Sequence, residues 1–150
     1  MNDARPSAST ECYGTALRKA SRRVTALYDE ALAPTGLRST QFAILAEIFD
    51  RDEGPPTLNQ LAEDLVLDRS GLGHSLRPLE REGLIRLEKS SCDRRSTLVA
   101  LTEQGRKRYA QALTLWQKAQ DRYAAALGET RANELRRRLI EIGHDDQLTY

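Results

Sequence analysis

Apolar side chains recur in helical steps along most of the chain and in strand-like runs at only one place. Between residues 10 and 33 they fall at Tyr13, Leu17, Ala20, Val24, Leu27 and Ala31, a spacing that draws one stripe on a helix. Pro34 ends it. Phe42, Leu45, Ile48 and Phe49 predict a second helix from residue 41 to 49, with Ser39 or Thr40 as its N-cap. Residues 50 to 56 read as a polar turn closed by Pro55 and Pro56. Thr57-Leu58-Asn59-Gln60 then matches the capping box, in which the hydroxyl and the amide side chain each satisfy an orphan backbone amide. It predicts a short third helix over 58 to 65.

Asp68 is placed to cap a fourth helix reaching about residue 82, with Leu72, Leu76 and Leu79 inward and Gly83 just past its end. Pro78 removes one amide donor and is expected to bend the last turn. Residues 84 to 89 and 97 to 101 have the apolar, β-branched character of two short strands around the polar tip of residues 90 to 96. Thr102 opens a long helix with Tyr109, Leu113, Trp116, Tyr123 and Leu127 on its apolar face, and Gly128 ends it. A last helix over 130 to 142 uses Leu135, Leu139 and Ile142. There is no internal repeat.

This order predicts a mainly α chain with a small β-hairpin wing: a winged helix-turn-helix plus additional helices. Only two residues separate Leu65 from Asp68, short enough to set two helices at a steep angle. In such a module the second helix enters the major groove and the hairpin tip reaches the flanking backbone or minor groove. A residue near Pro56 or Thr57 is expected to add a third short strand to the hairpin.

Composition narrows the classes of function. The chain has 150 residues, 39% hydrophobic and 30% charged, a size and balance that fit one domain with its own core. No apolar run approaches the roughly 18 residues of a membrane helix, and the first residues lack the apolar stretch of a signal peptide. No membrane partner and a cytoplasmic location are therefore expected. Cys12 and Cys92 form no CxxC pair, and His74 and His144 are the only histidines. Neither a metal site nor a nucleophile-base apparatus has parts to be built from, and no phosphate-binding glycine loop occurs. No enzyme activity, metal or cofactor is expected.

Net charge is only +1, but it is segregated along the chain. Residues 41 to 68 carry one Lys/Arg against seven Asp/Glu, and residues 69 to 108 carry ten against five. The flanking blocks are nearly balanced. A local basic surface suits an anionic partner that docks on one face, whereas the bland alternative is a solvated helix face.

The chain resembles the MarR-type (multiple antibiotic resistance regulator) transcriptional regulators over residues 11 to 143. The specific part runs from Leu61-Ala62-Glu63-Asp64-Leu65, through Leu79-Glu80-Arg81-Glu82-Gly83-Leu84-Ile85 and Asp93-Arg94-Arg95-Ser96, to Leu101-Thr102-Glu103-Gln104-Gly105. The resemblance implies a repressor that binds double-stranded DNA, on a pseudo-palindromic site, as a homodimer. It implies a dimerisation region of residues 11 to 36 and 102 to 150, and a DNA-binding region of residues 37 to 101. Residues 1 to 10 are expected to be a flexible N-terminus. The family's Asp-x-Arg wing pattern is met by Asp93 and Arg95, the aspartate orienting the arginine for the minor groove, with Arg94 beside them. On the recognition helix, Arg69, Ser70, Gly71, Gly73, His74, Ser75 and Arg77 are the candidate DNA contacts. Gly71 and Gly73 either admit close approach of DNA or mark a helix that stiffens on binding.

Control in this family comes from small aromatic or anionic ligands, or from oxidation of a cysteine. Arg18, Arg22, Tyr28, Gln41 and Phe42 are candidate ligand contacts, although the same residues would equally pack helices together. Cys12, near a helix start, is a candidate redox residue, since a helix N-terminus lowers a thiol's pKa. The peroxide-sensing branch places its cysteine about two residues later, where Gly14 stands, and Cys92 sits on the wing tip. A small ligand is therefore the expected effector. A winged helix that serves as a protein-interaction module is the alternative of a different class.

Overall fold

The structure is a computed structural model that describes residues 7–148. Its helices are α1 (Ala8–Glu11), α2 (Tyr13–Leu32), α3 (Ser39–Phe49), α4 (Leu58–Asp64), α5 (Arg69–Arg81), α6 (Glu103–Leu127) and α7 (Glu129–Gly143). Strands β1 (Ile85–Lys89) and β2 (Thr97–Leu101) form the hairpin. The fold is the mainly α winged helix-turn-helix that the sequence predicts. β1 and β2 pair antiparallel with Ile85 opposite Leu101 and Lys89 opposite Thr97. Thr57 adds the expected third-strand bridge, to Leu98, and the Val99 amide donates to the Pro56 carbonyl at 2.9 Å.

The core lies between α3, α4, α5, the hairpin and the first half of α6. Leu45, Leu61, Leu79, Leu84 and Val99 are fully buried there. Phe42 stacks on Tyr109 and Trp116 with ring centroids 5.4 and 5.8 Å apart, so α3 is fastened to α6 by aromatic contact. The caps follow the sequence reading closely. Thr57 Oγ1 accepts from the Gln60 amide at 3.2 Å, and Gln60 Oε1 accepts from the Thr57 amide at 2.9 Å. Gly83, at φ 69°, ends α5 in the left-handed region, and helical bonding passes Pro78, whose carbonyl accepts from the Glu82 amide at 3.0 Å.

Several expectations need correction. The first helix does not run unbroken from residue 10, because Cys12 is extended (φ −74°, ψ 114°) and divides α1 from α2. Of the segment expected to be a flexible N-terminus, residues 1–6 lie outside the described residues. Residues 8 to 10 instead belong to α1, where the Thr10 and Glu11 amides both donate to the Ser7 carbonyl at 2.9 Å. Ser39 and Thr40 lie inside α3 and do not cap it. Its N-cap is Arg38, whose amide donates to Gln41 Oε1 at 2.8 Å, while Asp29 of α2 accepts from the Ser39 amide at 2.7 Å. A carboxylate from another helix does the work expected of the local hydroxyls.

The largest difference concerns α6. Its buried positions are Gly105, Tyr109, Ala112 and Ala119, whereas Leu113 is exposed. Small residues let the helix approach the hairpin and α2 closely. Of the larger side chains expected on its apolar face, Tyr109 is buried, Trp116 packs half-buried against the core, Tyr123 and Leu127 are half-buried, and Leu113 turns outward. Gly105 is the extreme case, since a Cβ there would fall 1.9 Å from the Leu84 carbonyl oxygen. On α7 only Ala132 is buried, and Leu135, Leu139, Ile140 and Ile142 stay exposed, as do Tyr13 and Leu17 on α2.

Candidate nucleic-acid interface

Asp68 fixes the start of α5: its Oδ1 accepts from the Gly71 amide at 2.5 Å, the N-cap bond that orphan helix amides require. Leu72, Leu76 and Leu79 bury one face of the helix against the core. The opposite face presents Arg69, Ser70, His74 and Arg77 to solvent, with Gly71, Gly73 and Ser75 half-buried at its margins. Ser75 Oγ donates back to the Gly71 carbonyl at 3.0 Å, so its proton is already engaged within the helix. Arg81, exposed and four residues beyond Arg77, belongs to the same surface. It is not among the residues expected from sequence, although its four-residue spacing from Arg77 is the signal that marks it.

The turn before α5 contains a strained residue. Val66 has φ 52°, a left-handed conformation that a β-branched side chain rarely adopts. Its side chain is 59% exposed, so little burial offsets the strain.

At the wing tip the Asp93 carboxylate organises the turn. It accepts from the Arg95 amide at 3.0 Å and from the Ser96 hydroxyl at 2.7 Å. The Ser96 hydroxyl and then the Arg95 amide hold its pKa below the usual carboxylate value, because both bonds favour the charged form. Asp93 thus positions Arg95 through its backbone, and no ion pair joins the two side chains among the described residues. Arg94 and Arg95 are exposed. Behind the interface, Arg51 is already paired with Asp64. Burial and the nearby Asp64 charge raise the Glu47 carboxyl above its usual pKa.

The structure does not bring the five candidate ligand residues together. Phe42 lies in the core, Gln41 caps α3, and Arg18 and Arg22 are exposed on α2. Of the five, Tyr28 lines an open groove. Its hydroxyl donates to Gln120 Oε1 across this groove of about 910 Å³ between α2, α6 and α7, which Tyr123, Arg136 and Leu139 also line. Burial, with the neighbouring Tyr123 adding, raises the Tyr28 pKa. Cys12 is exposed at the start of α2, where its Sγ accepts from the Thr15 amide at 3.4 Å. The Thr15 hydrogen bond, assisted by Arg18, lowers the thiol's pKa. Among the described residues no helix is long and apolar enough to cross a membrane.

Known proteins share this architecture. A family described as transcriptional regulator SarA/Rot matches residues 26–111. The chain is 33% identical over 96 residues to the HTH-type transcriptional repressor NicR of Pseudomonas putida, a match spanning 64% of the chain and 60% of NicR. The matched stretch thus covers about three fifths of that relative's length. Two solved structures superpose over most of their own length. The M. tuberculosis transcriptional regulator MosR in complex with DNA has TM-score 0.79 and 32% identity, covering 89% of this chain and 94% of that one. The repressor CouR bound to a 23-mer DNA duplex has TM-score 0.79 and 30% identity, covering 91% and 96%. CouR from Rhodococcus jostii RHA1 is also known bound to p-coumaroyl-CoA, with TM-score 0.77 and 26% identity, covering 94% and 98%. The MarR-type resemblance is met by a MarR family transcriptional regulator from Rhodococcus sp. RHA1, which superposes with TM-score 0.76 at 27% identity over 87% of this chain and 93% of that one. From the fold, the capped helix-turn-helix, the Asp93-built wing and these matches, the chain belongs to the winged-helix family described as transcriptional regulator SarA/Rot, whose model matches more than half of the chain.

Proposed function

We propose that the protein is a homodimeric repressor that binds a pseudo-palindromic DNA site and releases it when a small aromatic or anionic ligand binds. The observation that carries this reading is the pairing of α5 with the wing tip. Both present exposed arginines without ion-pair partners among the described residues, the arrangement that phosphate contact needs. Arg69, Ser70, Gly71, Gly73, His74, Ser75 and Arg77 meet the major groove, and Asp93, Arg94 and Arg95 form the wing contact. Residues 37 to 101 make up the DNA-binding region. Residues 11 to 36 and 102 to 150 form the dimerisation region. The exposed leucines and isoleucines of α7 and Tyr13 and Leu17 of α2 support it, because apolar stripes of this extent suit a covered face.

Ligand control is supported by the groove at Tyr28, which is open, more apolar than polar and lined by Arg136 as well as by Asp121 and Glu129, and by the ligand-bound CouR relative. A second reading has its own observation. Cys12 is exposed, with a lowered pKa at the start of a 20-residue helix, a setting that favours reaction of the thiolate.

The test is binding of wild type and Arg95→Ala to duplex DNA across a salt series. Wild type should lose affinity steeply with salt. The variant should stay folded, bind more weakly and show a log-log slope shallower by about 0.9. Equal affinity and slope in a folded variant would remove Arg95 from the interface, and no salt dependence in wild type would favour the protein-interaction module. Peroxide treatment of wild type and Cys12→Ser decides the mode of control: DNA release in wild type alone assigns it to the thiol.

A further inference from the structure

Arg69, Gly73, Arg77 and Arg81 are spaced four residues apart on α5 and form one row along it. The three arginines are exposed, and none has an ion-pair partner among the described residues. Cations four apart on a helix repel one another, and Glu80, three residues past Arg77, forms no ion pair with it. Gly73 interrupts the row. Glycine is unfavourable in a helix interior, and the fold gives no return for it here. Its φ is not positive, and a Cβ built on it would meet nothing within 4 Å. Gly71 differs, because a Cβ there would lie 3.1 Å from the capping Asp68 Oδ1. Unpaired cations and an unexplained glycine therefore coincide in one row, and an anion resting on the side-chain-free backbone would account for both.

We propose that Gly73 is a phosphate notch: one backbone phosphate of the DNA sits over it, and Arg69 and Arg77 close on that phosphate from the adjacent turns. This rests on the DNA-binding reading above and adds what the glycine is for. The two arginines start about 12 Å apart along the helix axis, so each guanidinium has about 6 Å to cover to reach the midpoint. That is within the span of an extended arginine. Ser70 and His74, one step round the helix, are left to face base edges.

Gly73→Ala tests the notch, because alanine is the better helix former and has open space. Its Tm should rise by about 2–4 °C. Binding to random-sequence duplex DNA, followed by fluorescence anisotropy, should weaken about fivefold or more, since fivefold is the lower end of the penalty for forcing an extra carbon into a close contact. The log-log salt slope should fall by about 0.9, one phosphate contact. Wild-type affinity and slope in the variant would overturn the notch while leaving DNA binding in place. Weaker binding at an unchanged slope would overturn the phosphate assignment, and a lower Tm would overturn the premise that the fold has no use for this glycine. Wild type that shows no salt-dependent duplex binding would overturn the DNA-binding reading and the notch together.

Discussion

Gly105→Ala should be among the most damaging single-methyl changes in this protein, although it replaces the second-worst helix former by the best. The added Cβ would lie 1.9 Å from the Leu84 carbonyl oxygen and 2.9 Å from its carbonyl carbon. Relieving such a contact requires backbone to move by more than an ångström. That carbonyl is not free to move: it accepts from the Thr102 amide at 3.1 Å and from Thr102 Oγ1 at 3.2 Å, and the same hydroxyl also donates to the Gly83 carbonyl at 2.6 Å and accepts from the Gly105 amide at 3.0 Å. Overpacking costs about 1–3 kcal/mol, and losing the two bonds to Leu84 adds about 0.5–1.5 kcal/mol each. The gain in helix propensity returns about 1 kcal/mol. The expected net loss is about 1–5 kcal/mol, a fall in Tm of roughly 2–20 °C for a chain of this size. Urea and thermal unfolding monitored by circular dichroism measure it directly. A variant melting within about a degree of wild type would refute the reasoning, because it would mean that α6 can lift from the hairpin at no cost. The same substitution at Gly73 should act in the opposite direction on stability, so the pair separates a glycine required by packing from one that packing does not require.

Val66→Gly should stabilise the protein by about 0.5–1 kcal/mol in urea unfolding, since the left-handed conformation costs a branched residue about 1–2 kcal/mol and the more flexible unfolded chain takes back about 0.4–1 kcal/mol; a destabilised variant would show that the exposed side chain matters to the fold. Sedimentation of wild type at micromolar concentration should show a dimer, and Leu139→Glu should shift it toward monomer; a monomeric wild type would remove the proposed interface. The Asp93 carboxyl has a lowered pKa, so its hold on the Arg95 amide and Ser96 hydroxyl is complete above the usual carboxylate value and is lost as pH falls through the lowered one. The Arg95 and Ser96 amide resonances should titrate with a midpoint below that of Asp in an unstructured peptide, and a midpoint at or above it would contradict the turn geometry.

Local chemistry specified most of the element ends. Thr57 with Gln60, Asp68, Gly83, Thr102 and Gly128 each act within a few residues of chain, so caps and stops were legible from spacing alone, as was the hairpin with its Asp93-Arg94-Arg95 tip. The exposed face of α5 was equally legible, because its inward leucines fix which side remains. Tertiary structure decided what no local window contains. Part of the cap of α3, the carboxylate that takes the Ser39 amide, comes from Asp29 across a turn, beside the local bond from the Arg38 amide to Gln41. Tyr28 and Gln120 meet although 92 residues separate them. Beside Tyr109, which periodicity does mark, the stripe that α6 buries is made of Gly105, Ala112 and Ala119, which a search for large apolar side chains passes over, because how closely two backbones approach depends on the partner surface. The leucines and isoleucines of α7 show the same limit: periodicity marks a face as apolar, whereas only the packing of the whole chain determines whether that face is covered within it or left for a second copy.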